Sequence, residues 1–153
     1  MATDTLTLGS LLRLLNERVD RDVEAAYRAR GLPFKPRYTS IFRLLSSRGE
    51  MRVGEIVSDI GLSQPSITNT LAAMRADGLV EMRRGRDARE RIVSLTSQSK
   101  AISDELESQW RQTAVAAESL NKDLGLSLEA VLREALRHLD RRSFGIRMTE
   151  AGK

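Results

Sequence analysis

The fold is decided by Gly61-Leu62-Ser63-Gln64-Pro65-Ser66-Ile67-Thr68-Asn69-Thr70-Leu71-Ala72-Ala73-Met74-Arg75-Ala76-Asp77-Gly78. Ser63 reads as a helix N-cap and Pro65 as a first-turn proline, whose missing N–H falls among donors that a helix start leaves unpaired anyway. At about 100° of rotation per residue, Ile67, Leu71 and Met74 share one narrow apolar stripe. The other face carries Pro65, Ser66, Thr68, Asn69, Ala72, Ala73 and Ala76. These are small or uncharged hydrogen-bonding groups, where a solvated helix usually carries Lys and Glu. Such a face can enter a narrow space and read edges. The plainer alternative is a helix start with an alanine-rich back, and this helix alone leaves the two level.

Working outward, Val53, Ile56, Val57 and Ile60 predict a short helix that ends at Gly61, a left-handed stop followed by the apolar Leu62. Ser63 then restarts the chain at a new angle, which is a helix-turn-helix pattern. After Gly78 the period changes. Leu79-Val80-Glu81-Met82 and Arg91-Ile92-Val93-Ser94-Leu95 predict two short strands separated by Arg84-Gly85-Arg86-Asp87-Ala88-Arg89. From Arg83 to Arg91, five arginines (Arg83, Arg84, Arg86, Arg89, Arg91) stand against Asp87 and Glu90, leaving +3 over nine residues. Arginines crowded on a projecting tip repel one another unless an anion sits between them. Duplex phosphate supplies that anion, and a narrow minor groove favours an inserted arginine. The competing reading is a solvated hairpin whose arginines deter edge pairing. Asp87 either forms a salt bridge with Arg89 or stabilises the turn through its own backbone, and both stay open.

Further out, Leu8, Leu12, Leu15, Val19, Val23 and Tyr27 recur at spacings of four and three and predict a long amphipathic helix stopped by Gly31 and Pro33. Its length suggests that a partner subunit covers the apolar side. Pro36 opens a second helix carrying Tyr38, Ile41, Phe42 and Leu45. Thr96 caps a long helix with Ile102, Leu106, Trp110, Thr113, Ala117, Leu120 and Leu124 in one stripe, ended by Gly125. Ser127 caps a last helix with Leu128, Leu132, Ala135, Leu136 and Leu139 on its apolar face, and Leu126 is placed to staple it against Val131. Asp140 to Lys153 turns basic, loses periodicity and reads as an exposed or partly ordered tail. Two long terminal helical segments flanking a small lobe are what an interlocked pair of subunits needs.

Composition bounds the function. The 153 residues are 41% apolar and only 4% aromatic, which favours aliphatic helix packing over a large sandwich. The formal charge is +4, with arginine greatly outnumbering lysine; this suits bidentate phosphate contacts, although 21 acidic residues share the chain. There is no cysteine, which excludes disulfides and thiolate metal sites within the chain. No apolar run approaches about 18 residues and no basic leader opens the chain, so neither a membrane span nor a signal peptide is expected, and the cytoplasm is the default. An enzyme finds little support. The one histidine, His138, has no evident nucleophile beside it, and no phosphate-binding glycine loop or metal-spaced His cluster occurs, so no cofactor or metal is expected. A protein-binding adaptor on the same scaffold, its wing meeting an acidic protein, is the remaining alternative.

Met51-Arg52-Val53-Gly54-Glu55-Ile56-Val57, Ile60-Gly61-Leu62-Ser63, Leu71, Gly78-Leu79-Val80, Asp87-Ala88-Arg89 and Val93-Ser94-Leu95-Thr96 together resemble the MarR family of bacterial transcription regulators over nearly the whole chain. The resemblance implies a mainly α fold with a small β-wing: a winged helix-turn-helix with long N- and C-terminal dimerisation helices. The expected division is 1–35 as the N-terminal dimerisation helix, 36–96 as the DNA-binding lobe, 97–146 as the C-terminal dimerisation helices and 147–153 as a tail. It further implies a homodimeric repressor on a pseudo-palindromic double-stranded operator, with recognition helices in successive major grooves and wings in the flanking minor grooves. Arg89 takes the position of the minor-groove arginine and Asp87 that of the aspartate which orients it. Two residues depart from the pattern. Arg52 stands where a hydroxyl cap is common, and Met82 where a basic residue is common. A small aromatic or anionic effector is also implied, between the dimerisation helices and the DNA-binding lobe, where Phe34, Arg37, Tyr38 and Trp110 are the candidate lining; aromatic residues at helical spacing are more often core.

The residue chemistry assigns roles within that frame. The Ser63 helix start brings free N–H groups that favour a phosphate. Asn69 and Gln64 can make paired hydrogen bonds to an adenine edge, Thr68 and Ser66 can serve base or phosphate, and alanine can touch a thymine methyl. Arg84 and Arg89 are expected on phosphate. Ser63, Pro65, Arg75, Arg83, Arg86, Asp87 and Arg91 complete the expected DNA-contacting set.

Overall fold

The computed structural model describes residues 5–152; residues 1–4, assigned above to the N-terminal helix segment, and Lys153, assigned to the tail, lie outside them. The chain divides into two compact units, residues 1–109 and 110–153, each taken by itself below.

In the first unit, the Thr7 hydroxyl accepts the Ser10 N–H at 3.3 Å and opens α1 (Leu8–Ala29), which closes at Arg30 just before Gly31. Tyr27 is the residue of α1 that is buried, while Leu8, Leu11, Leu12 and Val19 stay exposed. A 3-10 turn at Pro36–Tyr38 leads into α2 (Thr39–Arg48). Its Ile41, Phe42 and Leu45 are buried as the spacing predicts. Tyr27, Phe34, Tyr38 and Phe42 form a chain of edge-on ring contacts centred on Phe34, with centroids 5.1, 5.6 and 5.4 Å apart. That geometry sets each ring's positive edge against its neighbour's negative face.

β1 (Met51–Arg52) precedes α3 (Val53–Ile60) and α4 (Gln64–Ala76). Gly61 adopts φ 75°, ψ 10°, and its N–H bonds the Val57 carbonyl at 3.0 Å. This left-handed step, easy for glycine and strained for other residues, sets the angle between the two helices. The Ser63 hydroxyl accepts the Ser66 N–H at 3.3 Å, as an N-cap should. Ile67, Leu71 and Met74 are buried together with Ile56.

β2 (Val80–Arg84) and β3 (Arg91–Leu95) form the hairpin, with β3 in the middle of an antiparallel sheet of order β1-β3-β2. Two strands were expected and three are present among the described residues. β1 is only two residues long, too short to show a period, and its place is set by the pairing of Met51 with Val93 and Arg52 with Ile92. β2 also extends to Arg84, which pairs with Arg91, so that arginine belongs to the strand rather than to the loop.

The long helix expected after Thr96 is broken. Thr96 caps α5 (Ser97–Ala101) by accepting the Ser99 N–H at 3.2 Å, and α6 (Ser103–Leu124) starts anew after Ile102. The Ser103 hydroxyl donates to the Ser99 carbonyl at 3.0 Å, a side-chain bond to the preceding turn of the kind that bends helices. Thr96 also donates to the Gly78 carbonyl at 2.6 Å and Ser99 to the Leu79 carbonyl at 2.5 Å, tying the start of α5 to the link between α4 and β2.

The second unit holds the remainder of α6, then α7 (Leu128–Arg141) and α8 (Phe144–Ala151). Ser127 accepts the Ala130 N–H at 3.2 Å, and Asn121 accepts the Leu128 N–H at 2.9 Å while donating to Glu129 at 2.9 Å. The Asn121 bond is the largest of the influences that hold the Glu129 carboxyl below its usual range. No residue of α7 is buried, and its Leu132, Leu136 and Leu139 are exposed. The segment read as an aperiodic tail contains α8, capped by Ser143 through the Ile146 N–H at 3.3 Å and tied by an Arg142–Glu150 ion pair. Its eight residues are too few for a period to stand out from the basic background. Among the described residues no helix is long and apolar enough to cross a membrane.

Candidate nucleic-acid interface

A groove of about 1020 Å³ lies between the two helices of the helix-turn-helix and the wing. Its floor and walls include Arg52, Glu55, Gln64, Thr68, Ala72, Arg75, Ala76, Met82, Arg89, Glu90 and Arg91. The helical phase explains the α4 contribution. With Ile67 facing inward, Gln64, Thr68 and Arg75 lie about 60–100° round toward the wing, whereas Pro65 and Asn69 stand on the outermost ridge. Pro65, Ser66, Thr68, Asn69 and Ala72 are all exposed. Five expected contacts thus share the groove: Gln64, Thr68, Arg75, Arg89 and Arg91. Pro65, Ser66 and Asn69 stand on the exposed surface of α4 beside it, and Ser63 is occupied in capping, its hydroxyl 3.0 Å from that of Ser66.

Strand alternation sorts the wing arginines. Met82 and Arg91 line the groove, so Arg83 projects from the other face of the sheet, where it pairs with Glu50 at 2.7 Å. Arg84 and Arg86 are exposed toward the tip. The guanidinium groups of Arg75, Arg84, Arg86, Arg89 and Arg91 have no carboxylate partner among the described residues, in contrast to Arg83 and Arg52. Five uncompensated cations at one end of a small lobe carry mutual repulsion that a polyanion would relieve.

Asp87 serves the turn. Its carboxylate accepts the backbone N–H of Arg89 at 3.0 Å and its carbonyl accepts that of Glu90 at 2.9 Å, while the Gly85 N–H closes the loop on the Glu90 carbonyl at 2.9 Å. The aspartate therefore fixes the backbone from which Arg89 projects and leaves the guanidinium itself unpaired. Sequence reading missed Arg52, Glu55 and Glu90 as groove residues. Arg52 enters through the two-residue β1, and Glu90 registered only as one charge among many.

The four residues expected to line an effector site lie in different settings. Phe34 and Tyr38 are buried in the aromatic core, and the Tyr38 hydroxyl donates to Asp77, at the end of α4, at 2.6 Å. Burial, followed by that hydrogen bond, pushes the phenol up to about 12. The adjoining hollow, lined by Glu24, Arg28, Leu32, Pro33, Phe34, Lys35 and Asp77, is about 180 Å³, below the roughly 300 Å³ at which small-molecule pockets begin. Arg37 is exposed, and Trp110 belongs to the other compact unit.

The sequence pattern of the bacterial regulatory protein, arsR family, matches residues 39–82, the stretch from α2 into β2. An uncharacterized HTH-type transcriptional regulator of Bacillus subtilis, YwoH, is 31% identical over 67 residues, which are 44% of this chain and 49% of that protein. The chain thus spans about half the length of the curated relative it matches. Among solved structures, the Mycobacterium tuberculosis regulator MosR in complex with DNA superposes with a TM-score of 0.70 at 23% identity, over 93% of this chain and 99% of that one. A mutant MarR of Escherichia coli, complexed with operator DNA, gives 0.61 at 18% identity, over 90% and 96%. The arsR-type match is confined to the helix-turn-helix, whereas the superpositions include the terminal helices as well. The chain has a winged helix-turn-helix fold, shared along nearly its whole length with these solved structures.

Proposed function

We propose that the protein is a homodimeric, sequence-specific double-stranded DNA-binding transcription regulator that acts as a repressor on a pseudo-palindromic site. The observation that carries this is the shared groove, where the uncharged hydrogen-bonding flank of α4 faces arginines that lack carboxylate partners. The helix supplies base-edge chemistry and the wing supplies phosphate affinity, the two parts that specific duplex binding requires. Dimerisation is supported by the exposed leucines of α1 and α7, which are too many and too aligned to serve solvent. Repression, and release by a small aromatic or anionic effector, rest on the MarR resemblance.

Selection of bound fragments from random duplex DNA, followed by a salt titration on the winning site, tests the reading. We expect a palindromic consensus bound two subunits to one site, with log K falling steeply as salt rises, at about −0.9 per phosphate contact. A stable dimer that enriches no sequence and binds no duplex would leave the adaptor reading in its place. In vitro transcription from the selected site, with and without candidate aromatic acids, then separates repression from activation and tests release.

A further inference from the structure

Resting on the DNA-binding reading above, we propose that Arg52 and Glu90 form a strap fixing the wing to the helix-turn-helix, so that Arg52 is a positioning residue and its guanidinium serves Glu90 before any phosphate. Arg52 is both the last residue of β1 and the N-cap of α3. Its backbone N–H donates to the Glu55 carboxylate at 2.8 Å, which anchors it to the helix. Its guanidinium Nε lies 3.1 Å from Glu90 Oε1, and Nη1 lies 3.9 Å from Glu55 Oε1.

Glu90 is equally constrained from the wing side. Its carbonyl and N–H close the turn on Gly85 and Asp87, both at 2.9 Å. Its side chain lies directly over Gly85, where an added Cβ would come within 2.7 Å of Glu90 Cβ and Oε2. Gly85 thus blocks one side of the carboxylate and Arg52 receives it on the other. The position matters because the β1–β3 ladder ends at the pairing of Arg52 with Ile92. Beyond it the hairpin has no backbone tie to the helices among the described residues, and the strap begins where the ladder stops. A carboxylate in a groove meant for phosphate is unfavourable by itself. Held by Arg52, it is neutralised and sets where Arg89 and Arg91 sit relative to α4.

Glu90→Gln tests this because the two explanations predict opposite signs. Removing a negative charge from an anion groove should, by charge alone, tighten binding to every duplex. The strap predicts that affinity for the selected site falls by about three- to fivefold, the scale of a half-exposed ion pair, while affinity for random duplex holds or rises. Binding of the selected site by Glu90→Gln as tightly as by the wild type, or more tightly, overturns the proposal. Hydrogen exchange in the free protein gives an independent reading. The Gly85 and Glu90 amides should exchange faster in Glu90→Gln and in Arg52→Met, with no further gain in the double variant and no change in the Leu71 or Met74 amides. Unchanged wing exchange in the single variants, or additive gains in the double, also overturns it. A wild-type protein that binds no duplex defeats the DNA reading, and the exchange experiment still decides the strap.

Discussion

Asn69 stands on the outer ridge of α4 with alanines around it, so its amide is the group on that ridge best able to pair with an adenine edge. Asn69→Ala should cost roughly 1–3 kcal/mol on the selected site and little on random DNA, read by titration of both; equal losses on the two would remove the specific role. Arg89 has the opposite expectation. Its guanidinium is unpaired, so Arg89→Ala should weaken all duplexes and make the salt dependence shallower by about one unit of slope. Tyr38 was singled out in the sequence as a candidate ligand contact, and its hydroxyl donates to Asp77, 39 residues away. No local pattern announces such a pair. Because the folded phenol titrates near 12, above its unfolded value of 10.0, its contribution is fully present below pH 10 and is lost as pH rises toward 12. Tyr38→Phe should lower stability by about 1 kcal/mol at neutral pH and flatten the alkaline limb of a denaturation series between those two values.

At the scale of elements, what the sequence made legible was whatever obeys a short period or a cap. Ser63, Thr96 and Ser127 were read as caps and are caps. The buried stripe of α4 follows from spacing alone. What escaped was set by partners distant in sequence or by single side chains. β1 exists because Val93 and Ile92 lie opposite it, and the break at Ile102 comes with one hydroxyl of Ser103 turned back on the helix. α8 is too short to declare itself. The groove was half legible: α4 and the wing arginines were seen, and Arg52, Glu55 and Glu90 were not. The turn between α3 and α4 offers a sharp test. Gly61 holds φ 75° with nothing within 4 Å of an added Cβ, so Gly61→Val should destabilise through backbone strain, by about 1–2 kcal/mol in chemical denaturation, with no steric clash contributing.

For the whole molecule, the exposed leucines are the feature that a single chain leaves unexplained. Leu136 is 62% exposed in the middle of α7, flanked on the same face by Leu132 and Leu139. If a second copy covers that face, Leu136→Glu should shift sedimentation from dimer to monomer and reduce operator affinity at least about a hundredfold, while the helix content of each chain is kept. A dimer that survives the substitution would move the interface elsewhere.

The arginine groove has one more consequence. No lysine occurs between Lys35 and Lys100, and the only histidine lies in α7. Every cation that faces the groove is therefore a guanidinium, a group that keeps its proton throughout the range of living cells and offers no amine to acetylate. Affinity for DNA should stay flat from about pH 6 to 9. Within that range the charge of the groove has no dial.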